Sequence, residues 1–459
     1  MIPIAGLPVL TAAEMRAAEG RTMADGTTEA TLMERAGYGI AEAVARLAAG
    51  REVLVLCGPG NNGGDGYIAA SLLRRRGLPV RVAASDAARS EGARRARAGW
   101  DGPVDSLTEA PGAPVLVDAI FGTGLSRAPA SEVQSALRRL ASEAWLRIAI
   151  DLPSGIASDD GILLGEVPRF DVTLALGAVK PSHLLQPAAS HMGQVRLVEI
   201  GVAVDSGARV MRRPTLPLPD AASHKYSRGM VAIVAGSMSG ASELAATAAL
   251  RAGAGYVLHL STDPAASAQP HAIVRRRYSA DALAEDRIGA LVVGPGLGRD
   301  DDARARLSAA LSSGRPLVID GDALRLADIA ALHRHEPPKI LTPHGGEFEH
   351  LFGSVTDGKL RATRRAAERS GAIVVHKGAD TVVAAPDGRA LLCPEASPWL
   401  STAGTGDVLA GAIGAMLAAG MEPLAAAEAG VWLHAQAARS CGAAFIADDL
   451  ADALSAVRG

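Results

Sequence analysis

E-V-L-V-L-C-G-P-G-N-N-G-G-D-G-Y, Glu52–Tyr67, is the stretch on which the fold turns. Five apolar residues in succession follow Glu52, and Glu52–Cys57 reads as a strand of a parallel sheet, buried on both faces. The strand runs into a glycine-punctuated segment, Gly58–Tyr67, followed by a helix to about Arg76. Glycines at a strand's carboxyl end, ahead of a helix, mark the ligand crevice of a doubly wound sheet. The spacing is neither G-x-G-x-x-G nor a Walker loop, which needs Lys then Ser or Thr. Asn61, Asn62 and Asp65 bring side-chain oxygens to this edge, and oxygen-only donors suit hard cations and sugar hydroxyls. The bland alternative is a solvated Asn-Gly turn.

The strand–helix rhythm continues on both sides. Thr11 with Glu14, and Thr31 with Glu34, have capping-box spacing. The second pair is expected to open a helix with Met33, Ala36, Ile40, Val44 and Leu47 on one face. Pro79–Ala83 and Val115–Ala119 read as strands, the latter carrying Asp118 into F-G-T-G-L-S-R. Arg147–Asp151 is another strand and ends in D-L-P-S-G. Three strands therefore carry Asn61, Asn62 and Asp65, then Asp118, then Asp151 and Ser154 to the same sheet edge. Helix N-capping is the alternative role for Asp118 and Asp151. Val172–Leu176 leads to Lys180-Pro181, and Val195–Ile200 closes this half.

A chain of 459 residues is too long for one ordinary domain. Asp205–Asp220 contains Pro214, Pro217 and Pro219 with little periodicity, which predicts an extended linker. The expected domains are 1–214 and 215–459. In the second, Met230–Ala235 runs into G-S-M-S-G-A-S, Ala290–Val293 into G-P-G-L-G, and Leu317–Asp320 into Gly321-Asp322. Ile340-Leu341 runs into T-P-H-G-G-E-F, Ala372–Lys377 ends in H-K-G-A-D-T, and Val382–Ala385 pairs as a hairpin with Ala390–Cys393. S-T-A-G-T-G-D-V-L-A-G, Ser401–Gly411, then opens an apolar helix behind a glycine turn suited to an anion. Lys377 suits phosphate as a compact cation, and Asp407 could deprotonate a hydroxyl. Turn or surface roles are the alternatives for Lys377 and His344, and His434 reads as packing. The fold class is α/β: two doubly wound domains, each with its own crevice.

Composition excludes several classes. A net charge of −3 gives no support for nucleic-acid or anionic-membrane binding, and Arg74-Arg75-Arg76 reads as a solvated helix face. Three scattered cysteines without a C-x-x-C argue against a zinc site or disulfide framework and fit a reducing cytoplasm. Neither a secretory leader nor an 18-residue apolar span is legible. Aromatic residues are only 3% of the chain, so the cores must be built from Ala, Val and Leu.

The motifs of roughly Pro8–Val202 resemble the epimerase of the nicotinamide-nucleotide-hydrate repair system, the YjeF N-terminal family: G-x-G-N-N-G-G-D-G, D-A-I-F-G-T-G, D-x-P-S-G and the late Lys-Pro. The resemblance implies a Rossmann-like fold, interconversion of the R and S epimers of hydrated NADH and NADPH (NADHX and NADPHX), and a potassium ion on Asn62, Asp118 and Ser154. It implies substrate contacts from Asn61, Asn62, Gly63, Gly64 and Asp65, from Gly122, Thr123, Gly124, Leu125, Ser126, Arg127 and Ala128, and from Asp151. Asp151 is the candidate acid/base, since epimerising C6 needs proton traffic near the ring nitrogen and hydroxyl. Roughly Lys225–Arg458 resembles the nucleotide-dependent NAD(P)H-hydrate dehydratases, the YjeF C-terminal family of the ribokinase-like superfamily, through V-A-G-S-x-x-G-A, G-P-G-L-G, L-T-P-H-x-x-E, K-G-A-x-T and A-G-T-G-D-V-L-A-G.

That second resemblance implies hydrate contacts from Ala241, Gly298, His344 and Asp407. Nucleotide contacts would come from Lys377, Gly378, Ala379, Asp380, Thr381 and Gly406. ADP would be the co-substrate, giving AMP and phosphate, with magnesium screening the diphosphate. Asp407 would be the base while the C6 hydroxyl is phosphorylated, and phosphate would leave as the ring nitrogen pushes electrons. Both families imply a homo-oligomer. Gly345 departs from an expected Pro, Asp320-Gly321-Asp322 from an expected D-A-D, and Glu395–Ser401 from a G-N-P-G-M-A-like turn. The last departure bears on nucleotide preference and rate. A small-molecule kinase of the ribokinase superfamily and a nucleotide-sensing scaffold are the rival readings.

Overall fold

The computed structural model describes residues 1–264, 270–394 and 396–458. Glu395, within the divergent turn noted above, lies outside them. By internal contacts the chain divides into two compact units, Met1–Val210 and Met211–Gly459, and each is described by itself.

In the first unit the strands lie in the spatial order Ile2–Pro3, Gln194–Val198, Val172–Leu176, Leu146–Ile150, Val115–Ala119, Val53–Cys57, Val80–Ala84, Val104–Ser106. All neighbours are parallel except the short Ile2–Pro3 edge. From Val53–Cys57 the chain first moves outward to Val80–Ala84, then returns to Val115–Ala119 on the opposite side. The strand order therefore reverses between Cys57 and its register partner Ala119. Loops leaving those two strands diverge onto opposite faces and leave a crevice at their carboxyl ends.

Two local expectations change. The helix after Val53–Cys57 spans Asn61–Arg75, so the Asn-Asn-Gly-Gly-Asp segment forms its first turns rather than a preceding loop. Three glycines inside a helix cost intrinsic stability. Close approach outweighs that cost: a methyl group added at Gly63 would lie 1.9 Å from the Gly58 carbonyl oxygen, and one at Gly66 would lie 2.7 Å from Ala119 Cβ. Gly63→Ala gains up to about 1 kcal/mol of helix propensity. It also drives a Cβ into backbone that has no room to move, an overpacking cost of about 3 kcal/mol. Urea denaturation should show net destabilisation of this unit; an unchanged midpoint would contradict the packing argument. The neighbouring helix spans Glu29–Ala48, and Thr28 rather than Thr31 is its N-cap. Thr31 instead donates its backbone N–H to Thr28 Oγ1.

Ala208–Val210 is a strand inside the stretch read as linker. Its backbone is hydrogen-bonded to the N-terminal segment, Val9 N to Ala208 O at 2.9 Å and Gly6 N to Val210 O at 3.0 Å. A short run flanked by Gly and Arg carries too little periodicity to announce such pairing.

The second unit orders its strands Val274–Arg277, Tyr256–Ser261, Met230–Val234, Ala290–Val293, Leu317–Ile319, Lys339–Leu341, Ile373–His376, all parallel. The hairpin of Val382–Ala384 and Ala390–Leu392 extends it antiparallel. The order reverses between Met230–Val234 and Ala290–Val293. Helices Ser239–Arg251, Thr405–Ala418, Pro423–Cys441 and Ala447–Val457 share one Ala-rich core. Thr405–Ala418 is buried around nearly its whole circumference, so it has no single apolar face. A methyl group added at Gly411 would lie 2.1 Å from the Ala245 carbonyl oxygen. Small residues let backbones approach this closely, and a core nearly free of aromatics follows from that. Among the described residues no helix is long and apolar enough to cross a membrane.

Candidate active sites

In the first unit, Asp151 ends the Leu146–Ile150 strand with φ +61°. A non-glycine residue in the left-handed region costs about 1–2 kcal/mol, and such strain persists where the surroundings determine it. Here they do. Asp151 N donates to Leu174 O at 2.8 Å. His183 donates from Nε2 to Asp151 O at 2.7 Å, because its Nδ1 accepts from Lys180 N at 2.8 Å. Lys180 Nζ, almost wholly buried, lies 2.5 Å from Asp151 Oδ1 and 2.6 Å from Leu176 O. The other carboxylate oxygen accepts from Thr123 N at 3.3 Å.

Burial alone would raise the Asp151 carboxyl, but the Lys180 ammonium outweighs it and holds the group below the usual carboxylate range. Asp65 is pushed well above that range by burial, then by Asp151 and Glu19. Glu19 is raised as well, chiefly by burial. Burial lowers His183 to about 4, so it is neutral at pH 7. Within the cluster the environment thus favours the ionised form of Asp151 and the protonated forms of Asp65 and Glu19.

Asp118 and Ser154 meet directly: Ser154 N donates to Asp118 Oδ2 at 2.8 Å, and Ser154 Oγ to Oδ1 at 2.7 Å. Ile120 N also donates to Asp118, and Phe121 N to Ser154 Oγ. Burial pushes Asp118 up to about 6, opposed only by these uncharged donors. Asn62 Nδ2 is buried without a hydrogen-bond partner, and a methyl group added at Gly122 would lie 3.2 Å from both Asn62 Oδ1 and Asp151 Oδ2. The oxygens of Asn62, Asp118 and Ser154 are hard donors of the kind a cation takes, whereas the unpartnered Asn62 Nδ2 is an N–H donor and offers a cation nothing. Asn61 turns elsewhere, donating from Nδ2 to Glu29 Oε1 at 2.8 Å. Gly122 and Thr123 adjoin Asp151, while Gly124, Ser126, Arg127 and Ala128 form an exposed lip with Leu125 half-buried.

In the second unit, successive strands deliver Asp320, Thr342 and Lys377 to one edge. Lys377 Nζ lies 2.7 Å from Asp320 Oδ1, which also accepts from Thr342 Oγ1 at 2.6 Å. Gly404, at φ +88°, is the N-cap of Thr405–Ala418, and Asp407 falls in the first turn. The backbone of that turn reaches the lysine: a methyl group added at Gly406 would lie 3.1 Å from Lys377 Nζ. His434 Nε2 pairs with Thr405 O at 2.9 Å from below. Burial pushes Asp407 up to about 7, reinforced by Asp320, Glu347 and Asp322 and opposed by Lys377. Lys377 stays raised despite burial because Asp320 and Glu347 flank it.

The remaining expected residues divide. Gly298 N donates to Asp322 Oδ2 at 3.0 Å, and a methyl group added at Gly296 would lie 2.1 Å from Met238 O and 3.1 Å from Ala241 Cβ, so the 294–298 loop packs against the start of the Ser239–Arg251 helix. His344 is the N-cap of Gly345–Phe352; its Nδ1 accepts from Gly346 N and Glu347 N, and Nε2 lies 3.4 Å from Glu347 Oε1. Gly378, Ala379 and Asp380 form a turn closed by Thr381 Oγ1 donating to Gly378 O, with Asp380 Oδ1 2.6 Å from Lys359 Nζ. Among the described residues no three His, Cys, Asp or Glu side chains cluster to hold a metal.

Glu19, His183, Asp320, Thr342 and Glu347 carried no role in the sequence reading, and Lys180 was only a motif position. Lys180, Asp320 and Glu347 all lie within strand-end segments, which is the signal that could have found them. Glu19 lies mid-helix in Ala12–Ala24 and carried no such signal.

Two parallel α/β units, each gathering charged and polar side chains at its sheet's carboxyl edge, define a two-site enzyme whose second half has a ribokinase-like fold. A ribokinase-like superfamily protein from Enterococcus faecalis shares the fold at TM-score 0.50 and 22% identity, covering 56% of this chain and 97% of its own. Residues 29–182 match the family described as YjeF-related protein N-terminus, and residues 231–457 match NAD(P)H-hydrate dehydratase. The bifunctional NAD(P)H-hydrate repair enzyme of Salinibacter ruber is 35% identical, covering 98% of this chain and 96% of its own. An ADP/ATP-dependent NAD(P)H-hydrate dehydratase from Bacillus subtilis, co-crystallised with ATP and Mg2+, is 30% identical over 53% of this chain and 93% of its own, at TM-score 0.47. The chain belongs to the bifunctional NAD(P)H-hydrate repair enzymes.

Proposed function

We propose that residues 1–214 epimerise the R and S forms of NAD(P)H hydrate and that residues 215–459 dehydrate the S form to NAD(P)H at the expense of ADP. The observation that carries this reading is the polar cluster at the sheet edge of each unit, each with one carboxylate tuned differently from its neighbours. In the first, Lys180 favours the ionised form of Asp151, which serves as base, while burial and the Asp151 charge favour the protonated form of Asp65, which serves as acid. Asn62, Asp118 and Ser154 would hold potassium, which when bound supplies the positive charge that the Asp118 carboxylate lacks. Replacing potassium with tetramethylammonium should slow epimerisation at least tenfold, and Asp118→Asn should remove the difference between the two salts. Equal rates in wild type would count against the ion.

In the second cleft, Lys377 and the 404–406 turn would receive the diphosphate of ADP, and Asp407 would take the C6 hydroxyl proton. The hydroxyl oxygen bonds the β-phosphorus as the bridging P–O bond to AMP breaks. The ring nitrogen then expels phosphate from C6, and loss of a C5 proton restores the dihydropyridine. Lys359 and Asp380 would brace the adenylate lip. The enzyme is cytoplasmic and works as a homo-oligomer. Mixed hydrate epimers incubated with protein and ADP should regain dihydropyridine absorbance with release of AMP. Binding of both ligands without that recovery would refute the proposal. A phosphorylated alcohol accumulating from ATP would favour the small-molecule kinase instead.

A further inference from the structure

Lys377 is the cation that the second cleft offers to a phosphate, yet its position is set by a residue to which the reading above gives no role. Asp320 is 2% exposed and sits at the end of Leu317–Ile319. One of its oxygens takes both the Lys377 ammonium, at 2.7 Å, and the Thr342 hydroxyl, at 2.6 Å. The other faces the glycine turn: a methyl group added at Gly406 would lie 3.8 Å from Asp320 Oδ2, just beyond Lys377 Nζ at 3.1 Å. Three consecutive strands and the Thr405–Ala418 helix therefore converge on one carboxylate.

We propose that Asp320, fixed by Thr342, is a positioning residue of the dehydratase reaction: it holds the Lys377 ammonium against the 404–406 turn and places a negative charge beside Asp407. This rests on the dehydratase reading of the same cleft. A lysine side chain has four rotatable bonds and makes a poor fixed donor when unanchored. Anchoring by a buried carboxylate removes that freedom before the nucleotide arrives, and pre-organised charge acts where charge develops in the transition state. The same carboxylate also sets the field at Asp407. The groups facing Asp407 are Asp320, Lys377, Glu347 and Asp322; of these only Lys377 favours its ionised form. His434, beneath the turn, is lowered to about 4 by burial and is neutral.

The test is Asp320→Asn in the full chain, assayed for ADP-dependent recovery of dihydropyridine absorbance from pH 5.5 to 9. The expected result is a 30- to 100-fold lower kcat with KM for ADP changed less than threefold. The rising limb of the pH profile should also move about one unit toward acid, because a like charge beside Asp407 has gone. A variant damaged only in folding would lose amplitude without moving the limb, so a lower kcat with an unmoved limb overturns the proposal, as does an unchanged kcat. If Asp320→Asn does not fold, Thr342→Val and Thr342→Ser decide. Valine should lower kcat three- to tenfold and serine should restore it; equal activity of the two overturns the proposal. A wild-type enzyme that binds ADP and hydrate but never dehydrates would sink the dehydratase reading, and this inference with it. Active wild type with indifferent variants sinks the inference alone.

Discussion

Asp407→Asn is expected to lower ADP-dependent dehydration by about a thousandfold, the scale set by losing a positioned base, while ADP affinity changes by less than about threefold. The split follows from where the residue sits. The groups proposed to receive the phosphate are Lys377 and the backbone of the 404–406 turn, and asparagine leaves both in place. Asparagine cannot take the hydroxyl proton. The pH dependence has a definite sign. Burial and three neighbouring carboxylates raise Asp407 to about 7, and the base works only when ionised. Wild-type kcat/KM should therefore fall as pH drops below about 7, approaching tenfold per unit. Stability runs the other way. A carboxyl whose folded value is raised contributes most below its unfolded value, and that contribution is lost as pH rises through its folded value. At pH 8 wild type carries the cost of an ionised Asp407, and the asparagine variant does not. The variant should then melt at a higher temperature at pH 8 than wild type and show no such gain at pH 5. Lower stability at both pH values would mean that Asp407 is a packing residue.

The parallel strands were legible because each is a short apolar run that ends in glycine and a polar group, a pattern that needs no tertiary information. Val53–Cys57, Val115–Ala119 and Ile373–His376 follow it directly. The convergence of Asn62, Asp118, Asp151 and Ser154 was inferred from strand ends alone, and in the fold these strands are neighbours. What stayed hidden depends on distance along the chain. The helix over Asn61–Arg75 begins early because its glycines press against Gly58 and Ala119, contacts that propensity cannot report. The Lys180–Asp151 and Lys377–Asp320 pairs join residues 29 and 57 positions apart. Asp151 and Lys377 stood out in their own windows, but the partner of each did not. Only burial turns such a lysine into the group that sets a neighbour's charge, and burial is a property of the assembled sheet. His344 shows the converse. Its motif suggested a hydrate contact; in the fold its Nδ1 is engaged by the helix it caps and its Nε2 lies beside Glu347, contacts that the motif does not announce.

Lys180→Met should abolish epimerisation and destabilise the first unit together, while dehydration of the S form by the second unit continues. Both partners are almost wholly buried, with side chains 2% and 8% exposed. Removing one member of such a pair typically costs about 3–5 kcal/mol, because the other charge is left without compensation. Asp151 has one escape, which is to take up a proton. Without the ammonium, burial would raise its carboxyl, and the ionised base would vanish at neutral pH. Wild type should show the matching acid dependence: a depressed carboxyl stabilises the fold above its unfolded value, and that contribution is lost as pH falls through its folded value. Adding Asp151→Asn to Lys180→Met separates the two effects. Asparagine tolerates the left-handed backbone at φ +61° and removes the stranded charge. The double variant should regain most of the lost urea midpoint and none of the epimerase activity. Coupling measured by that double-mutant cycle should be large and of stabilising sign for the wild-type pair. Additive effects, or a double variant that epimerises, would show that Lys180 and Asp151 act independently and that the charge of one does not govern the chemistry of the other.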